Sequence, residues 1–284
     1  MFAIRPLGSD RGRNRTLIAA GLIFALNLLI SHSSSAEPAQ SAELKELLRR
    51  IDVLCDRNDF ERAAPIADVA VKKFPDSYDA HLRRGYVYVG LDEEEKGIED
   101  YFWALKRRPK DAKLAHNLSN AYFKLDKLDL ALKYIDEALA NDVSQANRAS
   151  YFMLKRDILK SAHRYKEAQV ANTEAVKRIS VPHWYLERLK LAGINGDWKT
   201  VLSDSERLLP IMPKFRSSII RLRAQALIGS KRFAEAEKIL TETIKITPDN
   251  RDLLMERSKL YAALGKKDLA EKDLQSVKRL DESL

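Results

Sequence analysis

A single cysteine, Cys55, in a chain of 284 residues excludes an internal disulfide, so stability must come from packing. With 10 glycines and 9 prolines the chain has too few breakers for a collagen-like or low-complexity protein, and no stretch of useful length alternates apolar and polar residues as a strand does. The motifs that house most catalysis are missing as well: there is no Gly-rich phosphate loop, no His-Glu-x-x-His, no Gly-x-Ser-x-Gly and no EF-hand spacing. Five histidines are present, and none pairs at i, i+4 with a second ligand type on a helix. The chain therefore reads as a non-enzyme with no cofactor and no metal. Its aromatic residues fall at core spacings rather than beside clustered Lys and Arg, so no nucleic-acid partner is expected.

What is present begins with a targeting segment. Arg5, Arg11, Arg13 and Arg15 precede the uncharged apolar run Thr16 to Ile30, and Ser34-Ser35-Ala36 supplies small residues for a cut before Glu37. Residues 1–36 read as a signal peptide, which places the mature protein in the periplasm or outside the cell. An uncleaved anchor is the alternative, and contact with a membrane is expected only in that case; the run is shorter than the roughly 20 residues a spanning helix needs. No cysteine follows the run to carry a lipid. The full chain has a net charge of +9, and removing the segment lowers it to +6, with acidic and basic residues interspersed as on solvated helix faces. Cys55 reads as a small packing residue rather than a reactive thiol.

Downstream the sequence is periodic. Ala63, Gly97, Ala131, Ala168, Val201, Ala236 and Ala270 form a mostly small series, and seven residues after each stand Ala70, Ala104, Ala138, Ala175, Leu208, Thr243 and Val277, on the same helix face. Twelve residues after the first series come Pro75, Pro109, Pro213 and Pro248, which end helices. Asn58-Asp59, Asp126-Lys127, Asn195-Gly196-Asp197 and Gly265-Lys266 punctuate the middle of their units. Each unit is thus helix, turn, helix. Tyr88, Tyr122 and Tyr261 are large knobs; Gly85, Ser119, Ala224 and Ser258 are holes; Phe60, Tyr165, Trp198 and Phe233 are expected to close each pair from below. The fourth and fifth units depart most, with Arg156 and Leu189 where a small residue is expected.

With these small, aromatic and terminal-proline positions the chain resembles the tetratricopeptide repeat family, best over 80–109 and 112–140. The resemblance implies an all-α, superhelical solenoid of helix-turn-helix repeats, about seven of them over 44–284, after a short tail at 37–43. It also implies a concave groove, lined by first helices, that holds a protein or peptide partner. Arg83, Tyr86 and Gly90 share one face of a first helix, and Asn117, Asn120 and Lys124 repeat it 34 residues later. These positions read as a solvent-facing stripe, with Arg83, Tyr86, Asn117, Asn120 and Lys124 as the partner-binding set. In similar proteins the asparagine at the place of Asn117 bonds the backbone of a bound peptide. The clamp that one subclass uses for a chaperone's terminal carboxylate is missing, since Leu82, Tyr86, Ser150 and Leu154 occupy its places. Together with the export signal, the resemblance implies a scaffold for an envelope protein complex. The alternative is a binder of an anionic envelope polymer, in polysaccharide assembly or export. Asn117-Leu118-Ser119 is formally a glycosylation sequon, but the repeat explains these positions without sugar.

Overall fold

A computed structural model describes residues 42–282. The segment read as a signal peptide lies outside the described residues, and of the short tail only Ala42 and Glu43 fall within them, as the start of a helix. Fourteen α-helices and one 3-10 turn make up the described residues, with no strand among them. They follow one another as helix pairs: α1 (Ala42–Asp56) with α2 (Phe60–Lys73), α3 (Tyr78–Gly90) with α4 (Glu94–Arg107), α5 (Ala112–Lys124) with α6 (Leu128–Asn141), and α7 (Gln145–Ser161) with α8 (Tyr165–Arg178). Then come α9 (Pro182–Asn195) with α10 (Trp198–Leu208), α11 (Arg216–Gly229) with α12 (Phe233–Ile246), and α13 (Arg251–Ala263) with α14 (Lys267–Glu282). No described helix is long and apolar enough to cross a membrane.

One turn chemistry recurs in all of these hairpins. Asn58, Asp92, Asp126, His163, Gly196, Lys231 and Gly265 each stand five residues before the small series, and each has a left-handed backbone with φ between 57° and 73°. Two residues C-terminal to Leu54, Tyr88, Tyr122, Leu159, Ala192, Leu227 and Tyr261 the helix would have to continue; instead those carbonyls accept a bond from the N–H five residues on, at 2.8–2.9 Å. This is the Schellman closure, which satisfies a helix end that would otherwise be bare. Glycine, asparagine and aspartate tolerate the conformation; His163 and Lys231 adopt it at a cost.

Backbones meet closely at the small positions. A Cβ on Gly97 would lie 2.6 Å from the Gly85 carbonyl, and one on Gly85 would lie 2.6 Å from the Tyr101 ring. Where the hole residue is serine, its hydroxyl uses the same proximity: Ser119 Oγ donates to the Ala131 carbonyl at 2.8 Å and Ser258 Oγ to that of Ala270 at 3.0 Å. Two of the aromatic residues opening the second helices reach beyond their own pairs. Phe60 covers Gly90 of the next repeat, where a Cβ would fall 2.5 Å from its ring, and Trp198 covers Gly229 of the next in the same way. Phe60 and Trp198 thus seal one repeat to its successor.

The chain divides within α7 into two compact units, one ending at Tyr151 and the other beginning at Phe152. In the first unit α1, α3 and α5 pack in succession, with α2 and α4 each between its own first helix and the next. In the second unit α9, α11 and α13 do the same. The first helices therefore share one face of each unit. The division falls in the irregular fourth repeat, where Arg156, only 7% exposed, takes the place of a small residue. Its guanidinium is held by Asp157 at 2.7 Å and reaches Asn172 Oδ1 at 3.4 Å, the satisfaction a buried charge requires.

A second recurring device ties first helices to second helices. Arg84, Arg188 and Arg257 each grip an aspartate sixteen residues later, Asp100, Asp204 and Asp273, through both Nε and Nη2 at 2.7–2.8 Å. All three carboxylates are buried. Asp100 also lies 2.6 Å from His81 Nδ1, while the other ring nitrogen of His81 lies 2.9 Å from the Pro75 carbonyl. Cys55 is buried in the core of the first unit, and burial first, then the Asp52 and Asp56 charges, push its thiol up to about 12. That environment suits a packing thiol and not a reactive one.

Candidate functional site

The face shared by α1, α3 and α5 carries all five sequence-predicted contact residues, and their surroundings differ sharply. Arg83 is not a free cation: its Nε and Nη2 grip Asp52 of α1 at 2.8 and 3.0 Å, and its Nη1 reaches Asp79 at 3.2 Å. It staples the second repeat to the first. Tyr86 is half-buried, edge-on to Phe60 with ring centroids 5.9 Å apart, and burial foremost pushes its hydroxyl up to about 12. Gly90, on the same stripe, is the pocket for Phe60 rather than a solvent position. Lys124 donates to the Val89 carbonyl at the end of α3 and pairs with Asp92 at 2.9 Å and Glu94 at 3.1 Å. It caps the preceding turn, where a cation meets the negative end of a helix.

Asn117 and Asn120 stand apart from these. Both are half-buried on α5, and among the described residues neither side chain is hydrogen-bonded to another helix. The sequon serine, Ser119, is fully buried and already bonded to Ala131, which accords with a packing role for that tripeptide. Only the two amides on this stripe thus keep donors and acceptors that no other helix uses, which is the equipment for bonding a peptide backbone. Of the acids that hold Arg83 and Lys124, only Asp79 has a local signature, four residues before Arg83; Asp52, Asp92 and Glu94 have none. Ion pairs between repeats join residues about one repeat apart, and no local pattern announces them.

His116 sets the pH response of this face. Its ring lies 5.0 Å from that of Tyr151, whose hydroxyl donates to Asp142 at 3.0 Å. Burial lowers the His116 pKa to about 4, against a smaller upward pull from Asn117. An unfolded histidine titrates near ~6.5, so between those values the unfolded chain takes up a proton that the folded one refuses. The resulting contribution to stability is complete above about pH 6.5 and is lost as pH falls toward 4. Thermal melts at pH 7 and pH 5 check this: the wild type should lose about 4–7 °C more than His116→Gln over that step.

Among the described residues no three His, Cys, Asp or Glu side chains gather as metal ligands would. The stacked hairpins, their common turn and their small-residue contacts invite comparison with known proteins. Tetratricopeptide-repeat profiles match residues 48–112, 112–142 and 221–283, together more than half of the chain. The chain belongs to the tetratricopeptide repeat family. Human tetratricopeptide repeat protein 21A is 24% identical over 216 residues, which cover 74% of this chain but only 15% of that relative. Among solved structures, this repeat protein is similar to the C-terminal part of a repeat-containing protein from Cytophaga hutchinsonii (TM-score 0.64, 16% identity, 84% of this chain and 96% of that one). It is also similar to pilF of Pseudomonas aeruginosa (TM-score 0.56, 14% identity, 78% of this chain and 97% of that one). Likeness at such identities is likeness of fold.

Proposed function

We propose that this repeat protein is an exported scaffold that holds an extended segment of a partner protein against the shared face of its first helices, within a complex of the cell envelope. The observation that carries the reading is the pair of half-buried amides, Asn117 and Asn120, unused by other helices on a face built from packed first helices. Family membership supports a role in protein interaction, and the N-terminal segment supports export. In this reading Arg83, Tyr86 and Lys124 shape the face and hold its helices in place, while the asparagines bond the partner's backbone. The anionic-polymer alternative needs free cations here, and Arg83 and Lys124 are neutralised by four carboxylates.

Capture from the envelope fraction of the native host tests the reading. The wild-type chain should retain a partner that Asn117→Ala with Asn120→Ala binds roughly thirtyfold more weakly, as expected for two hydrogen bonds of about 1 kcal/mol each. The variant should melt like the wild type, because neither side chain links helices. Full retention would place the binding surface elsewhere. N-terminal sequencing of the same material should read from Glu37, and an intact Met1 would remove export by cleavage.

A further inference from the structure

The grip that Arg84, Arg188 and Arg257 exert on a buried aspartate lapses in two repeats that keep the arginine: the first, where Arg50 is exposed and Ile66 follows sixteen residues later, and the sixth, where the arginine is half-buried. The sixth keeps the arginine, Arg223, but Ile239 stands sixteen residues later where the other three have aspartate. Arg223 turns Nη1 to Ser205 Oγ at 2.9 Å and to the Leu202 carbonyl at 3.2 Å. Its Nε and Nη2, the two atoms that hold aspartate in the other repeats, make no hydrogen bond among the described residues; Glu235, which feels the Arg223 charge, is gripped by Arg232.

Arg223 lines a cavity of about 400 Å³. The cavity lies between the second helices of the fifth and sixth repeats, over α11, and so not on the face that the first helices share. It exists because α10 stops after 11 residues, at Leu208, whereas the other second helices run 14 to 16. Pro210 and Pro213, the latter opening a 3-10 turn, prevent its continuation. Leu209, Ile220, Ile239 and Ile246 give it an apolar wall, and Ile246 is 72% exposed. Arg216, Glu206 and Glu242 also border it, all three exposed and none in an ion pair among the described residues.

We infer that this cavity is a second docking site, for a partner peptide that presents one Asp or Glu flanked by aliphatic side chains. The carboxylate takes the Nε and Nη2 edge of Arg223, in the bidentate manner an aspartate takes in the other repeats. The aliphatic neighbours cover Ile239 and Ile246. Glu206 and Glu242 repel a chain of many negative charges, so the site selects a single acid in an apolar context and not a polyanion.

The test is a titration of the full chain, labelled at arginine, followed by the Nε–H resonance of Arg223 in NMR. The probe is the blocked peptide acetyl-Ser-Leu-Asp-Ile-Ser-amide, with its Asn counterpart as control. The Asp peptide should shift that resonance saturably and bind roughly tenfold more tightly than the Asn peptide, the usual margin for a charged hydrogen-bonded pair. Ile239→Asp supplies the missing partner from within the chain, so it should abolish the margin while keeping or raising the melting temperature. Arg223→Gln, which asks no buried charge of the fold and is read from peptide-induced shifts of neighbouring arginines, should abolish it too and decides the matter should Ile239→Asp not fold. Asn117→Ala with Asn120→Ala should bind the Asp peptide normally. Equal affinity for the two peptides, no saturable shift, binding that survives Arg223→Gln, or loss of binding in the asparagine variant would each overturn the assignment.

Discussion

Ala131→Trp is expected to cost about 3 kcal/mol or more, lowering the melting temperature by roughly 6–12 °C. Ala131 is fully buried, and its carbonyl accepts a bond from Ser119 of the facing helix at 2.8 Å. Its counterpart one repeat earlier is Gly97, where even a Cβ would meet backbone at 2.6 Å, so α5 and α6 meet where the fold leaves least room. An indole there must part the two helices. Far-UV circular dichroism through a thermal scan checks it, and an unchanged transition would mean that Ala131 is not at such a contact.

Asp100→Ala should cost about 2–3 kcal/mol, because it takes the bidentate partner from the half-buried Arg84 and leaves the buried His81 ring nitrogen without the group it faces. The carboxylate is 3% exposed, bidentate to Arg84 and 2.6 Å from His81. Arg84 would keep only Asp68, at 3.6 Å. Asp281→Ala is the matched comparison: it breaks a similar bidentate pair with Arg251 on an exposed surface, where water screens the pair and its loss should barely move the midpoint. Equal denaturant midpoints for the two variants would remove burial as the source of the difference.

The architecture was legible because one small residue per repeat, two helical turns from another, leaves a trace that no solvent pressure erases. The Schellman turns were legible where glycine, asparagine or aspartate carries the left-handed residue, and obscure at His163 and Lys231, whose side chains give no hint of it. The candidate residues do stand on first helices, but which of them are free was not readable. Arg83 and Lys124 look like solvent cations in a register plot. Their partners, Asp52 and Asp92, lie 31 and 32 residues away, and only the stagger of successive repeats brings them within reach. The Arg–Asp grip, by contrast, was available in the sequence as an Arg and an Asp sixteen residues apart, three times in register. So were its lapses at Ile66 and Ile239. The division within α7 had a visible correlate in Arg156, a charge where the repeat wants a small side chain.

Site-specific photo-crosslinking tests the central claim, that a partner lies against the first helices, most directly. With benzoylphenylalanine at position 120 on α5, the chain should form one covalent adduct with an envelope protein. With the same group at position 69, an exposed site on the second helix α2, that adduct should be missing. Crosslinking from position 69 with none from position 120 would contradict the account.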